Sequence, residues 1–313
     1  MIRSLAAMSF ALAAGTAQAQ APRVVTDIAP VHSLVARVMQ GVGSPEVLLP
    51  AGASPHDHAL RPSEARLLSD ASLVIWVGPG LTPWLEAPLE VLAPAAARLV
   101  LSDDGRLTAL PIREGGAFGE HGPEEGDEHD DHDVHDEHED HREESSIDPH
   151  LWLDPENGQL WLEAIARALS ALDPENAEAY VSNALAGAEE IAGQVARISA
   201  QMGAAPRPYL AYHDAFQYAE AWLGLVGVGA IESGHAVELG PARLAQLRDV
   251  VSELGVSCIL AEPQFNPGLV EAVMDKGRGW VVTIDPLGGG FEAGPALYLS
   301  VLGQFSDIPE ICD

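Results

Sequence analysis

The sequence predicts an α/β protein of two small lobes, each a roughly four-stranded parallel sheet with flanking helices, which a long helix connects. Short apolar segments alternate with helical segments over residues 24–110, and the same alternation returns after residue 207. Strands that alternate with helices form parallel sheets through right-handed crossovers. The length of 313 residues agrees with two lobes, because one domain contains roughly 100–200 residues.

Proline and glycine mark the elements of the first lobe. Gly41 ends its first helix, Pro50 stops its second strand and Pro62 begins its second helix. The predicted strands are residues 24–28, 46–49, 73–77 and 98–101, and the predicted helices are residues 31–40, 62–70 and 83–92. We expect this lobe to extend from residue 20 to residue 172.

A linker helix and a second lobe follow. The pattern is helical nearly throughout residues 155–204, with a break at Asp173, a good N-cap, and Pro174, a good first helical residue. We therefore expect a stiff helix of about 30 residues and about 45 Å over residues 173–204. The second lobe is expected to comprise residues 205–313. Its predicted strands are residues 209–212, 225–231, 257–261 and 280–284, and its predicted helices lie near 215–223, 241–254, 267–277 and 294–305.

The amino terminus has the organisation of a secretory signal peptide. Arg3 precedes a short apolar run, and Ala17-Gln18-Ala19 forms an A-x-A cleavage site, which predicts a signal peptide over residues 1–19. A first amphipathic helix is the alternative. No later stretch approaches the roughly 18 apolar residues of a membrane span, so we expect an exported protein that is not inserted in a membrane.

The two cysteines, Cys258 and Cys312, are expected to form a disulfide, because cysteines of exported proteins meet an oxidising compartment. In the chain-entropy model a bridge that closes a loop of this length contributes about 4 kcal/mol of stability. The alternatives are two free thiols or a metal site with thiolate ligands.

The charge of the chain excludes one class of partner. With 16 Lys and Arg against 47 Asp and Glu, the formal net charge is −31. Such a charge argues against nucleic acid or an anionic membrane as the partner. Residues 120–144 alone contain 14 of the acidic groups, which indicates an inserted segment.

That segment, residues 114–146, has almost no apolar side chains and is predicted to be a disordered surface loop. Half of the 12 histidines lie in it: His121, His129, His132, His135, His138 and His141. The last five recur at every third position among carboxylates, and both groups bind transition metals. We expect weak secondary metal binding here; the alternative is a solvated acidic tract with incidental histidines.

Four residues outside the loop are candidates for a metal site. His56, His213 and Asp285 each lie at or just past the carboxyl end of a predicted strand, where ligands of open α/β sheets bind. With His150 they give two groups from each lobe, which can meet across the cleft between the lobes. Three imidazoles and one carboxylate suit Zn²⁺. Any one of these histidines alone is more often a capping or surface group.

Neighbouring residues admit simpler interpretations. His58 is a possible substitute ligand, because it lies two residues from His56. Asp57 and Asp214 are helix N-caps or partners of the ligands, with capping favoured. His32 and His235 are interpreted as surface or core residues.

Six motifs resemble one family. AGASPHDHALRPS, LVIWVGPG, HLWLDP, YLAYHDAF, LAEPQF and TIDPLG occur in this order, and an acidic His-rich insertion precedes HLWLDP. Together they resemble the periplasmic zinc-binding proteins of bacterial ABC importers, the ZnuA-like family, from about Val24 to the carboxyl terminus.

The resemblance implies a periplasmic receptor, expected to be a monomer, that binds Zn²⁺ and passes it to the membrane permease of an ABC importer. It places the primary zinc ligands at His56, His150 and His213, and it pairs Cys258 with Cys312. Related manganese-binding proteins tend to have Glu at the position of His213, which favours zinc. Some relatives have Glu directly before the first ligand, whereas this chain has Pro55, so Asp285 or a water molecule must complete the shell.

Three other functions stay open at this stage. These alternatives are a manganese receptor, a stand-alone zinc buffer that works through the His-rich loop, and a zinc hydrolase. The hydrolase interpretation lacks H-E-x-x-H and G-x-S-x-G motifs, and Glu262 is its one candidate base. We therefore expect a binding protein without catalytic residues.

Overall fold

The computed structural model describes residues 21–118, 147–203, 207–232, 240–263, 266–274 and 279–312. The predicted signal peptide, the six loop histidines and His235 lie outside these residues. Among the described residues, no helix is both long enough and apolar enough to cross a membrane. Two four-stranded parallel sheets with flanking helices are present, which confirms the predicted fold class.

The first sheet carries the amino-terminal lobe. Its strands are β1 (Val24–Thr26), β2 (Glu46–Val47), β3 (Leu73–Trp76) and β4 (Ala97–Val100), and its helices are α1 (Ala29–Val38), α2 (Pro62–Asp70) and α3 (Glu86–Leu92). The strand order is β2-β1-β3-β4 and all pairs are parallel. Burial is complete along β3, as expected of a strand with helices on both faces.

The second sheet repeats this arrangement in the carboxyl-terminal lobe. Its strands are β5 (Arg207–His213), β6 (Leu225–Glu232), β7 (Cys258–Ala261) and β8 (Trp280–Thr283), in the order β6-β5-β7-β8. Its helices are α6 (Gln217–Leu223), α7 (Pro241–Leu254), α8 (Pro267–Val273), α9 (Leu297–Gly303) and α10 (Ile308–Cys312). Two helices that precede this lobe in the chain, α4 and α5, are described next. The parallel register places the carboxyl ends of β5 and β7 side by side.

The long helix between the lobes is α5 (Ala177–Met202), and a single 3-10 turn joins it to the preceding helix α4 (Pro155–Leu172). The predicted break at Asp173 is present, but its carboxylate does not cap a backbone amide. It accepts hydrogen bonds from the Tyr180 hydroxyl and the Asn176 amide, both at 2.8 Å. The 26 residues of α5 extend for about 39 Å, and the helix packs against α4.

One hydrophobic cluster joins the two lobes. Helix α5 packs against α4 and α1 and reaches α6 and α9, and one cluster of buried side chains includes members from both lobes. Tyr298 of α9 shows how close this packing is, because its hydroxyl donates to the Trp152 carbonyl at 2.7 Å and its backbone N–H donates to Ser33 Oγ at 2.9 Å. A Cβ at Gly158 would lie 2.3 Å from that hydroxyl, so only glycine fits there.

The start of the predicted disordered loop is ordered. Residues 111–118, which we call the strap, leave the first lobe and end in a 3-10 turn that packs on β6 of the second lobe. Arg243 holds this turn by donating to the carbonyl groups of Ala117 and Ala230. A Cβ at Gly229 would lie 2.6 Å from the Ala117 oxygen. The described structure therefore corrects the predicted boundary at residue 114, because these residues find partners on the other lobe.

Candidate metal centre

Three of the four predicted ligands converge in the cleft between the lobes. His56, His150 and His213 each offer a ring nitrogen, and these nitrogens all lie within 4.8 Å of one another. The ring centroids are separated by 5.5, 5.8 and 5.1 Å, and the rings are edge-on to one another. Imidazoles in this arrangement point nitrogen atoms at a common centre, which is the donor set that Zn²⁺ prefers.

His56 lies on the exposed loop between β2 and α2. Its backbone N–H donates to Ser54 Oγ at 3.3 Å, and the carbonyl of the preceding Pro55 accepts the Trp84 indole N–H at 2.8 Å. These bonds fix the backbone on both sides of the ring while the ring itself stays accessible to solvent.

His58 supports the same loop instead of joining the cluster. Its Nε2 lies 2.9 Å from Glu64 Oε2, and its ring meets the Trp84 indole edge-on at 5.0 Å. Glu64 also accepts the Arg61 backbone N–H at 2.7 Å. His58 therefore holds the loop against the first turn of α2, because its nitrogen is engaged by a carboxylate.

His150 is the buried member of the three histidines. It directly precedes the 3-10 turn Leu151–Leu153, and its side chain is 6% exposed. Its Nδ1 lies 2.7 Å from Asp148 Oδ1, which also accepts the His150 backbone N–H at 3.0 Å. A carboxylate on Nδ1 fixes the tautomer that leaves Nε2 free for a metal.

His213 is the last residue of β5, whereas the sequence predicted it directly after the strand. Its Nδ1 lies 2.9 Å from Oε1 of Glu262, which directly follows β7. Burial lowers the pKa of His213, but the hydrogen bond and charge of Glu262, with the charges of Asp214 and Asp148, outweigh it and raise the pKa above its usual value. Glu262 thus orients the ring of His213, one of the predicted ligands.

Asp285 does not belong to the converging group of ligand atoms. It lies two residues past β8, and its Oδ1 accepts the backbone N–H groups of Leu287 and Gly288 at 3.0 and 2.9 Å. The Gln304 side chain accepts its backbone N–H at 2.8 Å. The carboxylate therefore organises the turn that follows the strand.

The remaining candidates occupy other positions. Asp214 caps no helix, and its carboxylate pairs with the Arg113 guanidinium. Asp57 is exposed, and α2 begins after Arg61, so Asp57 caps no helix either. His32 is half-buried, with Nε2 3.2 Å from the Pro45 carbonyl. Burial lowers the pKa of His32, as expected of a core histidine.

Asp148 and the role of Glu262 were not recognised from the sequence. Two signals were available: Asp148 stands two residues before His150, and Glu262 follows the strand that pairs with the His213 strand. The two carboxylates lie behind two of the imidazoles, where their charge favours a cation between the rings.

Replacing either carboxylate is expected to weaken zinc binding without removing a ligand. Glu262→Gln and Asp148→Asn should each lower the affinity by about 10–100-fold at pH 8, the range found for hydrogen-bond partners of metal-bound histidines. Because Glu262 raises the His213 pKa, Glu262→Gln lowers this pKa, and protons compete less with zinc for His213. The loss of zinc affinity relative to the wild type should therefore be smaller at pH 6 than at pH 8. Competition titrations at both pH values measure this. An unchanged affinity at pH 8 would contradict the assignment.

The chain is similar to known proteins over nearly its whole length. A family model described as "Zinc-uptake complex component A periplasmic" matches residues 24–307. The high-affinity zinc uptake system protein ZnuA of Paracoccus denitrificans is 43% identical over 309 residues, which cover 95% of this chain and 93% of that protein. The protein of the same name from Brucella abortus is 37% identical over 303 residues, with 92% and 91% covered.

Solved structures confirm the architecture. A crystal structure of ZnuA superposes with a TM-score of 0.75 at 22% identity, over 94% of this chain and 100% of that chain. The solute-binding protein FpvC of Pseudomonas aeruginosa, in complex with Mn²⁺, has a TM-score of 0.72 at 19% identity, over 93% and 98% of the two chains. The family match and the relatives confirm the resemblance seen in the sequence, and this chain belongs to the ZnuA family of periplasmic zinc-uptake components.

Proposed function

We propose that this protein is a high-affinity periplasmic receptor that captures Zn²⁺ with His56, His150 and His213 and delivers it to the permease of an ABC importer. The convergence of three imidazole nitrogens within 4.8 Å carries the proposal. Carboxylates on the Nδ1 atoms of His150 and His213 support it, because such partners keep imidazoles in the orientation and tautomer that bind a metal.

The donor set favours zinc over manganese. Neutral imidazole nitrogen suits Zn²⁺, whereas Mn²⁺ prefers carboxylate, carbonyl and water oxygens. The carboxylates of this site hold the histidine rings and do not face the metal position directly. Three protein ligands leave one tetrahedral position, which an oxygen of Asp285 or a water molecule fills.

Burial suggests a direction of entry and release. His150 is buried, the His213 side chain is 29% exposed, and His56 is on an exposed loop. The ion therefore enters and leaves on the side of His56. A transported ion must be released as well as bound, so one accessible ligand on a loop serves the function better than three buried ones.

The signal peptide, the two-lobe division and the His-rich loop are further parts of the proposal. Export through residues 1–19 brings the chain to the periplasm, where it acts as a monomer.

The histidines of residues 121–141 bind zinc weakly, because gathering them around an ion costs chain entropy. The negative charge of this segment raises the local cation concentration near the cleft.

Growth under zinc limitation tests the function. A strain that lacks the protein is complemented with the wild type, with His150→Ala or with a chain from which residues 119–146 are deleted, and it is grown with a chelator. We expect growth with the wild type and the loopless chain only when the permease is present, and none with His150→Ala. Rescue by the wild type without the permease, or failure of the loopless chain, would indicate a stand-alone buffer instead.

A further inference from the structure

The strap reaches the metal site from the other lobe. Arg113, in its middle, donates from Nε to Asp214 Oδ2 at 3.0 Å and from Nη2 to Asp214 Oδ1. Its Nη1 donates to Glu220 Oε1 at 2.6 Å. Asp214 directly follows His213. The Arg113 guanidinium therefore forms a bidentate ion pair with the residue next to a proposed ligand.

This ion cluster is a packed feature and not a chance surface pair. The Arg113 side chain is 16% exposed and its two partners are each 20% exposed. Its guanidinium carbon lies 4.3 Å from the centre of the Phe118 ring, and Glu220 Oε1 accepts the Tyr209 hydroxyl at 2.9 Å. An ion pair that is partly buried and held by further hydrogen bonds keeps its geometry better than an exposed one.

Strand β6 leaves space for the cluster. A Cβ at Gly227 would lie 2.5 Å from Glu220 Oε1 and 2.8 Å from Arg113 Nη1. A side chain at this position would therefore displace the ends of the Glu220 and Arg113 side chains, so the edge strand accommodates the ion pair where the guanidinium crosses from one lobe to the other.

Leu110, directly before the strap, is tied to the segment that carries His150. The Asp148 backbone N–H donates to the Leu110 carbonyl at 2.8 Å, and the Tyr218 hydroxyl links the Asp148 carbonyl, at 2.9 Å, with the Leu110 N–H, at 3.0 Å. Asp148 in turn holds His150. One short piece of chain therefore connects the partner of His150 to the neighbour of His213.

We propose that Arg113 is a positioning residue of the metal site, which sets the separation of His150 and His213 by anchoring the strap to Asp214. The inference rests on the proposed zinc-binding function. The hydrogen bonds of Arg113 go to Asp214 and Glu220, and it acts by preventing the His213–Asp214 peptide from shifting relative to the segment that carries His150.

Charge and position predict opposite effects, which makes the proposal testable. Loss of the Arg113 cation leaves Asp214 and Glu220 uncompensated, and by charge alone a cation would then bind more tightly. Loss of the anchor lets His213 move and weakens binding. We expect position to dominate, because a small displacement of one ligand disturbs all the metal bonds together.

The chain provides a matched control. Arg106 donates from Nε and Nη2 to both oxygens of Asp104, at 2.9 and 2.7 Å, and from Nη1 to Glu163 at 2.8 Å. It makes the same three bonds to two carboxylates as Arg113, but it lies outside the described metal site. Arg106→Gln thus removes the same charge and the same kind of bidentate ion pair.

The experiment measures zinc affinity, zinc dissociation rate and the visible spectrum of the Co²⁺ form for the wild type, Arg113→Gln, Arg113→Lys and Arg106→Gln. We expect Arg113→Gln to lower the affinity by about 10-fold, the lower end of the range for outer partners of metal ligands, and to shift the Co²⁺ bands. Arg113→Lys should recover part of the loss, and Arg106→Gln should match the wild type. Asp214→Asn, which keeps the side-chain shape, should resemble Arg113→Gln and serves if that variant does not fold.

The outcomes are distinct. Unchanged or tighter zinc binding by Arg113→Gln with an unchanged Co²⁺ spectrum overturns the positioning role while the wild type still binds zinc. Equal losses in Arg113→Gln and Arg106→Gln also overturn it, because they indicate a general effect of charge or stability. Failure of the wild type to bind zinc overturns the proposed function itself.

Discussion

Replacing His150 or His213 by alanine is expected to abolish tight zinc binding. Each loss should exceed the roughly 100-fold upper range for partners of metal-bound histidines, because a ligand itself is removed. His56→Ala should lose less, since this ligand is exposed on a loop, whereas His150 and His213 are held ready by Asp148 and Glu262. Less ordering is then needed when the metal binds.

Competition with a chromophoric chelator measures these affinities in a chain that lacks residues 119–146, so that weak loop sites do not contribute. His32→Asn is a suitable control, because His32 bonds the Pro45 carbonyl and lies apart from the converging histidines. Near-native affinity of all three alanine variants would show that the metal is held elsewhere.

The pH dependence of wild-type binding follows from the same groups. Zinc binds neutral imidazole, so protons compete with the metal. The His213 pKa is raised above its usual value by Glu262, so zinc affinity should begin to fall at a higher pH than for an ordinary histidine and continue to fall as the pH decreases. Titrations between pH 8 and pH 5 measure this.

Removal of the disulfide is expected to give the largest loss of stability. Cys258 begins β7 and Cys312 ends α10, and the bridge between them spans a sequence separation of 54 residues. The chain-entropy model assigns about 4 kcal/mol to a loop of this length. For a chain of this size that corresponds to a decrease in melting temperature on the order of 5–10 °C.

Thermal unfolding of Cys258→Ala/Cys312→Ala against the wild type, with and without reductant, measures the effect. Cys258 lies at the amino end of β7, whereas Glu262 follows its carboxyl end, so zinc affinity at 25 °C should be retained. Reductant should destabilise the wild type and leave the double variant unchanged. Two free thiols in protein purified from the periplasm would contradict the bridge.

The metal site shows where prediction from the sequence stopped. His56, His150 and His213 were predicted as ligands because strand ends and motifs are local features that a chain displays directly. Asp148 and Glu262 were not assigned as histidine partners, although the first stands only two residues from His150. A carboxylate near a histidine has many local uses, and only the distance between Asp148 Oδ1 and His150 Nδ1, 2.7 Å, distinguishes among them.

Asp285 shows a second limit. Its position past a strand end predicts a ligand, and the structure adds that its Oδ1 accepts two backbone amides of the following turn. Strand-end carboxylates cap turns as readily as they bind metals, since both roles need an oxygen at the same place. The sequence contains no signal that separates the two.

The sequence by itself determined the two α/β lobes and the long helix between them, because periodicity and the positions of proline and glycine express local preferences. Strand ends and motifs pointed to the three histidines, and the export signal pointed to the disulfide. Only the tertiary structure decided how the lobes are joined. Arg113 meets Asp214 across 101 positions of the chain, His213 meets Glu262 across 49, and Tyr298 meets Ser33 across 265. Such pairs depend on the packing of the whole chain, which no local pattern records.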